Sequence, residues 1–123
     1  MPIQVPRAGA FFKMKYALFS DPSHAWLKVS IEEIKQLGIA PEISGFSYIS
    51  ADRKYAYLEQ DRDAQIFLNA VLAADWFEDM QSIRNCTGQY YSDPPSFIRN
   101  LDSFVAAQFA TKQVSEKNHI YNF

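Results

Sequence analysis

The chain has 123 residues, 48% of them hydrophobic, and a formal net charge of −2. That length suits a single domain, 1–123, with a real core, and ten Phe, seven Tyr and two Trp make the core aromatic. A near-neutral balance argues against a binder that holds nucleic acid through bulk positive charge, and a lone cysteine, Cys86, excludes an intrachain disulfide.

Residues 1–10 read as a loose lead-in, with two prolines and no apolar run of the length a signal or membrane segment needs. From Phe11 to Phe19 the pattern predicts a strand, with Phe12, Met14, Tyr16 and Leu18 on one face and Lys13 and Lys15 on the other. The turn residues Phe19 to Ser23 then predict an antiparallel return. His24 to Val29 alternates as the second strand, Ala25, Leu27 and Val29 facing one way and His24, Trp26 and Lys28 the other.

A short helix over 31–37 is signalled at both ends. Ser30 can accept from the amide of Glu33 while the Glu33 carboxylate reaches back to the amide of Ser30, a reciprocal capping box. Val29 and Ile34 are spaced as a hydrophobic staple, and Gly38 supplies the left-handed residue that ends the helix. Two turns are too few to be stable alone, so a sheet must hold them.

Ser44 to Ser50 and Lys54 to Gln60 predict an aromatic hairpin about the turn Ala51-Asp52-Arg53. Asp61 is placed to cap a longer helix, 62–75, whose Ala64, Phe67, Leu68, Val71 and Leu72 fall at helical spacing. Trp76 to Ser92 is less regular. Ser96 is placed to cap a third helix through Phe97, Leu101, Phe104 and Val105, and residues 114–123 are polar and read as loosely ordered. The fold class expected is α+β: an antiparallel sheet of about four strands, two helices and a partly helical C-terminal third.

Four motifs recur together in a known family. Ala25 to Val29 holds Trp-Leu-x-Val, Leu37 to Ile39 is Leu-Gly-Ile, Ile43 to Tyr48 is Ile-Ser-x-x-Ser-Tyr, and Tyr57 to Asp63 is Tyr-Leu-Glu with an acidic helix start. In this order, over residues 16–72, the chain resembles a family of short uncharacterised proteins of bacteria, phages and plasmids, and Ser96 to Phe104 echoes that family's C-terminal segment. The resemblance implies a mobile-element accessory protein and brings no activity and no site residues. A fainter resemblance is to the swapped-hairpin DNA-binding antitoxins and transition-state regulators. Those usually carry a proline where Ser30 stands and basic residues along the first strand, where this chain has only Lys28.

No catalytic set emerges. His24 beside Asp21 could pair as acid and base, but Ser20, Ser23 and Ser30 are spoken for by turns and caps. Cys86 with His24 or His119 could form a thiolate dyad, but Cys86 has no helix-start setting. Two histidines and one cysteine do not match zinc spacing, and Glu59, Asp61 and Asp63 lack the glycine and distal glutamate of a calcium loop. Tyr48, Tyr55 and Tyr57 could stack bases, yet only Arg53 and Lys54 lie near, and packing is the plainer account.

Charge is uneven: residues 1–30 hold four basic residues against Asp21, net +3, and residues 59–79 hold six acids against Arg62, net −5. The expectation is therefore a non-enzymatic accessory protein, cytoplasmic in a bacterial host, without cofactor or metal. It would mask a host protein, as an anti-defence inhibitor such as an anti-CRISPR protein does. Trp26 is the expected anchor, set in a basic strip of Lys13, Lys15 and Lys28. A small nucleic-acid-binding regulator is the first alternative, and a small hydrolase around His24 the second.

Overall fold

Period-two alternation in the first two strands is what builds the centre of the sheet. A computed structural model describes residues 14–93 and 96–104, and within them the sheet has six strands in the order β5-β1-β2-β4-β3-β6. The strands are β1 (Tyr16–Ser20), β2 (Ala25–Ser30), β3 (Tyr48–Ile49), β4 (Tyr55–Glu59), β5 (Thr87–Tyr91) and β6 (Asp102–Ser103). Three α-helices are described, α1 (Ile31–Leu37), α2 (Asp63–Ala73) and α3 (Met80–Asn85), together with short 3-10 turns at Ala40–Glu42 and Phe97–Asn100. The class is α+β, as expected. The sheet is larger than the antiparallel four strands predicted, and it is mixed, because β5 joins β1 in parallel while the other pairs are antiparallel.

Both faces of the sheet are covered, unequally. On the inner face Tyr16, Leu27, Val29, Ile49, Ala56 and Leu58 meet Ile31 and Ile34 of α1, Phe67 and Val71 of α2, and Ile83 of α3 in one apolar core. The ring of Tyr16 stands edge-on to Phe67, with centroids 5.5 Å apart. On the outer face Trp26, Tyr57 and Ile98 form a second, smaller cluster, flanked by Phe19, Tyr48 and Leu101.

The start of α1 keeps half of the expected capping box. The Ser30 hydroxyl accepts from the Glu33 amide at 3.1 Å. The Glu33 carboxylate does not return to Ser30, which lies opposite Tyr55 in the β2–β4 ladder. It accepts instead from the Tyr16 hydroxyl at 3.3 Å and lies 2.9 Å from the Lys15 ammonium. At its other end α1 closes as predicted: Gly38 has φ 71°, its amide donates to the Lys35 carbonyl, and the Ile39 amide donates to the Ile34 carbonyl. The same closure ends α2, with Asp75 in the left-handed position (φ 62°) and Trp76 donating to Val71.

Three further expectations are corrected. Asp61 does not cap α2, since Arg62 holds the cap position without a side-chain bond. Asp63 is fully buried, and its Oδ2 accepts from the Ser44 amide at 3.0 Å and from the hydroxyls of Ser44 and Ser47 at 2.6 and 2.5 Å. Those bonds hold residues 44–47 in a turn, so the first arm of the hairpin shortens to Tyr48–Ile49 and Phe46 is left 75% exposed. Ser96 caps only a 3-10 turn, and the chain after it returns to the sheet edge as β6. The irregular stretch from Trp76 holds α3, capped by Asp79 through the Ser82 amide at 2.9 Å, and then β5. Phe11, Phe12, Lys13, Val105, residues 1–10 and residues 114–123 lie outside the described residues. Among the described residues no helix is long and apolar enough to cross a membrane.

Candidate interaction face

The outer face is divided by what covers it. The strands bring Tyr90, Phe19, Trp26 and Glu59 into one row and Gly88, Ala17, Lys28, Tyr57 and Tyr48 into the next. Over the Trp26 end lies the segment 96–101, whose Ile98 is fully buried and whose Arg99 guanidinium sits 5.2 Å from the Trp26 ring centroid. His24 stacks on the same indole at 5.9 Å, and Trp26 is only 2% exposed.

Asp21 holds that cover in place. Its carboxylate accepts from the amides of Ser23 and His24 on its own turn, and from the Ser96 amide at 3.0 Å. Arg99 donates to it twice, from Nε and Nη2, each at 3.1 Å. The Arg99 hydrogen bonds, followed by that of the Ser96 amide, hold the Asp21 carboxyl well below the usual carboxylate range.

The other end of the outer face is open. A groove of about 450 Å³ is lined by Met14, Lys15, Ala17, Phe19, Lys28, Tyr55 and Tyr90. Its hollow follows from residue size: Ala17, which lines it, presents only a methyl group. One wall is Tyr90, 52% exposed and stacked on Phe19 with centroids 5.1 Å apart. The opposite wall is Tyr55, with the Lys28 ammonium 4.3 Å from its ring centroid, a cation–π contact. Beyond Tyr55 a second hollow of about 330 Å³ is bordered by Ser30, Glu32, Lys35, Arg53 and Lys54. Phe97, 52% exposed, meets Phe19 and Tyr57 edge-on where the groove reaches the cover.

Of the residues singled out in sequence, Lys15 and Lys28 come together at this groove. Trp26 supports the face from beneath the cover rather than lining the groove, and Lys13 lies outside the described residues. The residues that sequence reasoning passed over are Ala17, Phe19, Tyr90 and Phe97. The Tyr90-Tyr91 pair was the available signal, but which face it joined depended on a parallel pairing that no local pattern announces.

The chemical candidates fall apart in space. Asp21 binds the backbone amide of His24, and the His24 ring nitrogen Nδ1 accepts from Arg99 Nη2 at 3.3 Å. His24 and Cys86 sit at opposite ends of β1: the His24 carbonyl bonds the Asp21 amide, and the Cys86 carbonyl bonds the Tyr16 amide. Burial raises the Cys86 thiol pKa above its ordinary value, the reverse of what an activated nucleophile needs, and its Sγ donates to the Ile83 carbonyl. His119 lies outside the described residues. Among the described residues no group of three His, Cys, Asp or Glu side chains could hold a metal ion. Compared with protein-family models, curated proteins and solved structures, the chain matches none.

Proposed function

We propose that this chain is a non-enzymatic accessory protein of a phage or other mobile element, which masks a surface of a host protein in the bacterial cytoplasm. A defence component is the target we favour, as for an anti-CRISPR protein. The observation that carries the binding reading is the open groove: Phe19, Tyr55 and Tyr90 around Ala17, with Lys15 and Lys28 beside them. Aromatic rings flanked by cations, Tyr55 and Tyr90 exposed and Phe19 partly buried beneath them, suit a protein hot spot, where rings supply buried area and rim charges tune the rate of encounter. The mobile-element setting rests on the motif resemblance alone.

Aromatic rings with lysines on a sheet also describe a stacking platform for single-stranded nucleic acid, and this is the second reading. The test is capture from host lysate with mass spectrometry, using the wild type and Ala17→Leu, which fills the groove from a partly exposed position. Labelled single strands are titrated in parallel at ~150 mM salt. Capture of one host protein, lost on Ala17→Leu while the fold is retained, supports the proposal. Sub-micromolar binding of single strands that weakens steeply with salt and is lost in the same variant would replace it with the second reading.

A further inference from the structure

The two edges of the sheet are unlike. β6 is two residues long; Asp102 holds Arg53 at 2.8 Å, and the Ser103 hydroxyl donates to the Gly45 carbonyl at 2.5 Å. A short edge fixed by charge and side-chain bonds discourages further pairing. β5 lacks such guards. It is five residues long, and residues 86–92 (CTGQYYS) contain neither a charge nor a proline. Among the described residues its one neighbour is β1.

The direction of its free backbone groups follows from that pairing. The Cys86 carbonyl accepts from Tyr16 and the Ser92 amide donates to Ser20, so the even-numbered residues of this strand turn their backbone toward β1. By alternation, Thr87, Gln89 and Tyr91 turn their N–H and C=O groups outward, and Gln89 and Tyr91 are exposed.

We propose that β5 is a self-association edge, at which two copies of the chain join antiparallel about a two-fold axis through Gln89. An isologous contact requires a strand complementary to itself. In this register Gln89 meets Gln89 of the second copy, Thr87 meets Tyr91, and Gly88 meets Tyr90. No like charges are opposed, and every outward backbone group of the three residues gains a partner. Gly88 already accepts a ring: a Cβ built there would stand 3.0 Å from the hydroxyl oxygen of its own chain's Tyr90. An aromatic ring over an edge glycine offsets the weakness of glycine in a strand. The axis is perpendicular to the sheet, so both grooves face the same side, and a dimer presents two of them to one target.

Sedimentation equilibrium of the full chain, from about 10 µM to about 1 mM, tests this, since a contact of one strand is smaller than a standard interface and associates weakly. The mean mass should rise from one chain toward two. Gln89→Lys sets two ammonium groups at the axis and should weaken association at least about tenfold while the β1 pairing, and the far-UV spectrum, stay unchanged. In a Cys86→Ser background, Gln89→Cys should oxidise to a covalent dimer, because hydrogen-bonded antiparallel partners stand about 5.5 Å apart at Cα, within disulfide reach. Asp102→Cys on β6 should not. A single-chain mass at every concentration, or a dimer unmoved by Gln89→Lys, overturns the proposal.

Discussion

Asp21 and Arg99, 78 residues apart in the chain, form a two-pronged ion pair across the outer face of the sheet. The pair ties the β1–β2 turn to the 96–101 cover and so decides how much of that face stays open. Asp21 is 6% exposed and the Arg99 side chain 34%, so the bond is sheltered on one side only.

The first prediction is acid behaviour. The Asp21 carboxyl is depressed in the fold, so the stability it contributes is present above the ordinary carboxylate pKa of about 4 and is lost as pH falls through the lower folded value. In a Trp76→Phe background, Trp26 fluorescence should therefore hold its native maximum through the ordinary carboxylate range and shift only below it. Arg99→Met should move that transition to higher pH. An unchanged acid midpoint in Arg99→Met would disconnect the ion pair from the cover.

A second prediction concerns Ser30 and Glu33. Ser30→Ala should cost about 1 kcal/mol, since one helix amide loses its acceptor. Because the Glu33 carboxylate serves Tyr16 and Lys15, the two residues should act independently. A double-mutant cycle of Ser30→Ala and Glu33→Gln by urea denaturation should give a coupling under about 0.5 kcal/mol. A coupling well above that would restore the reciprocal box.

Third, the two kinds of outer-face aromatic should separate cleanly. Trp26→Ala should destabilise by about 3–5 kcal/mol, as it empties a buried site under the cover. Tyr90→Ser, on a half-exposed ring, should stay under about 1 kcal/mol. Equal costs in chemical denaturation would contradict the division of the face into a covered and an open end.

Asp63 is the fourth case. Replacing it with Ala strips the acceptor from the Ser44 amide and two hydroxyls in a buried site and should cost about 3 kcal/mol. Its ion-pair partner Arg62 has a side chain 56% exposed, so Arg62→Ala should cost under about 1 kcal/mol. If the two variants lose the same stability, the carboxylate is held by the ion pair and not by the serines.

Much of the centre of this fold is legible in residues 16–60. The return after Ser20, the alternation of β2, the helix from Ile31 and the turn at 51–53 each have a local cause that stands in the structure. Legibility fails where a side chain has a distant partner. Glu33 prefers Tyr16 and Lys15 to the amide beside it, and Asp63 draws residues 44–47 out of the hairpin. α3 was readable in principle, from Asp79 three residues before Ser82.

The chain by itself determined the elements that close within one or two turns: the Ser30 cap, the Gly38 stop, the faces of β2. Their energetics are settled among residues a few positions apart, where composition and spacing are the whole cause. Only the tertiary structure decided that β5 would lie parallel to β1, that Arg99 would cover Trp26, and that Tyr55 and Tyr90 would wall a groove over Ala17. Each of these depends on bringing together segments tens of residues apart. Their loop closure is repaid by the packing of the whole sheet rather than by any signal in either segment.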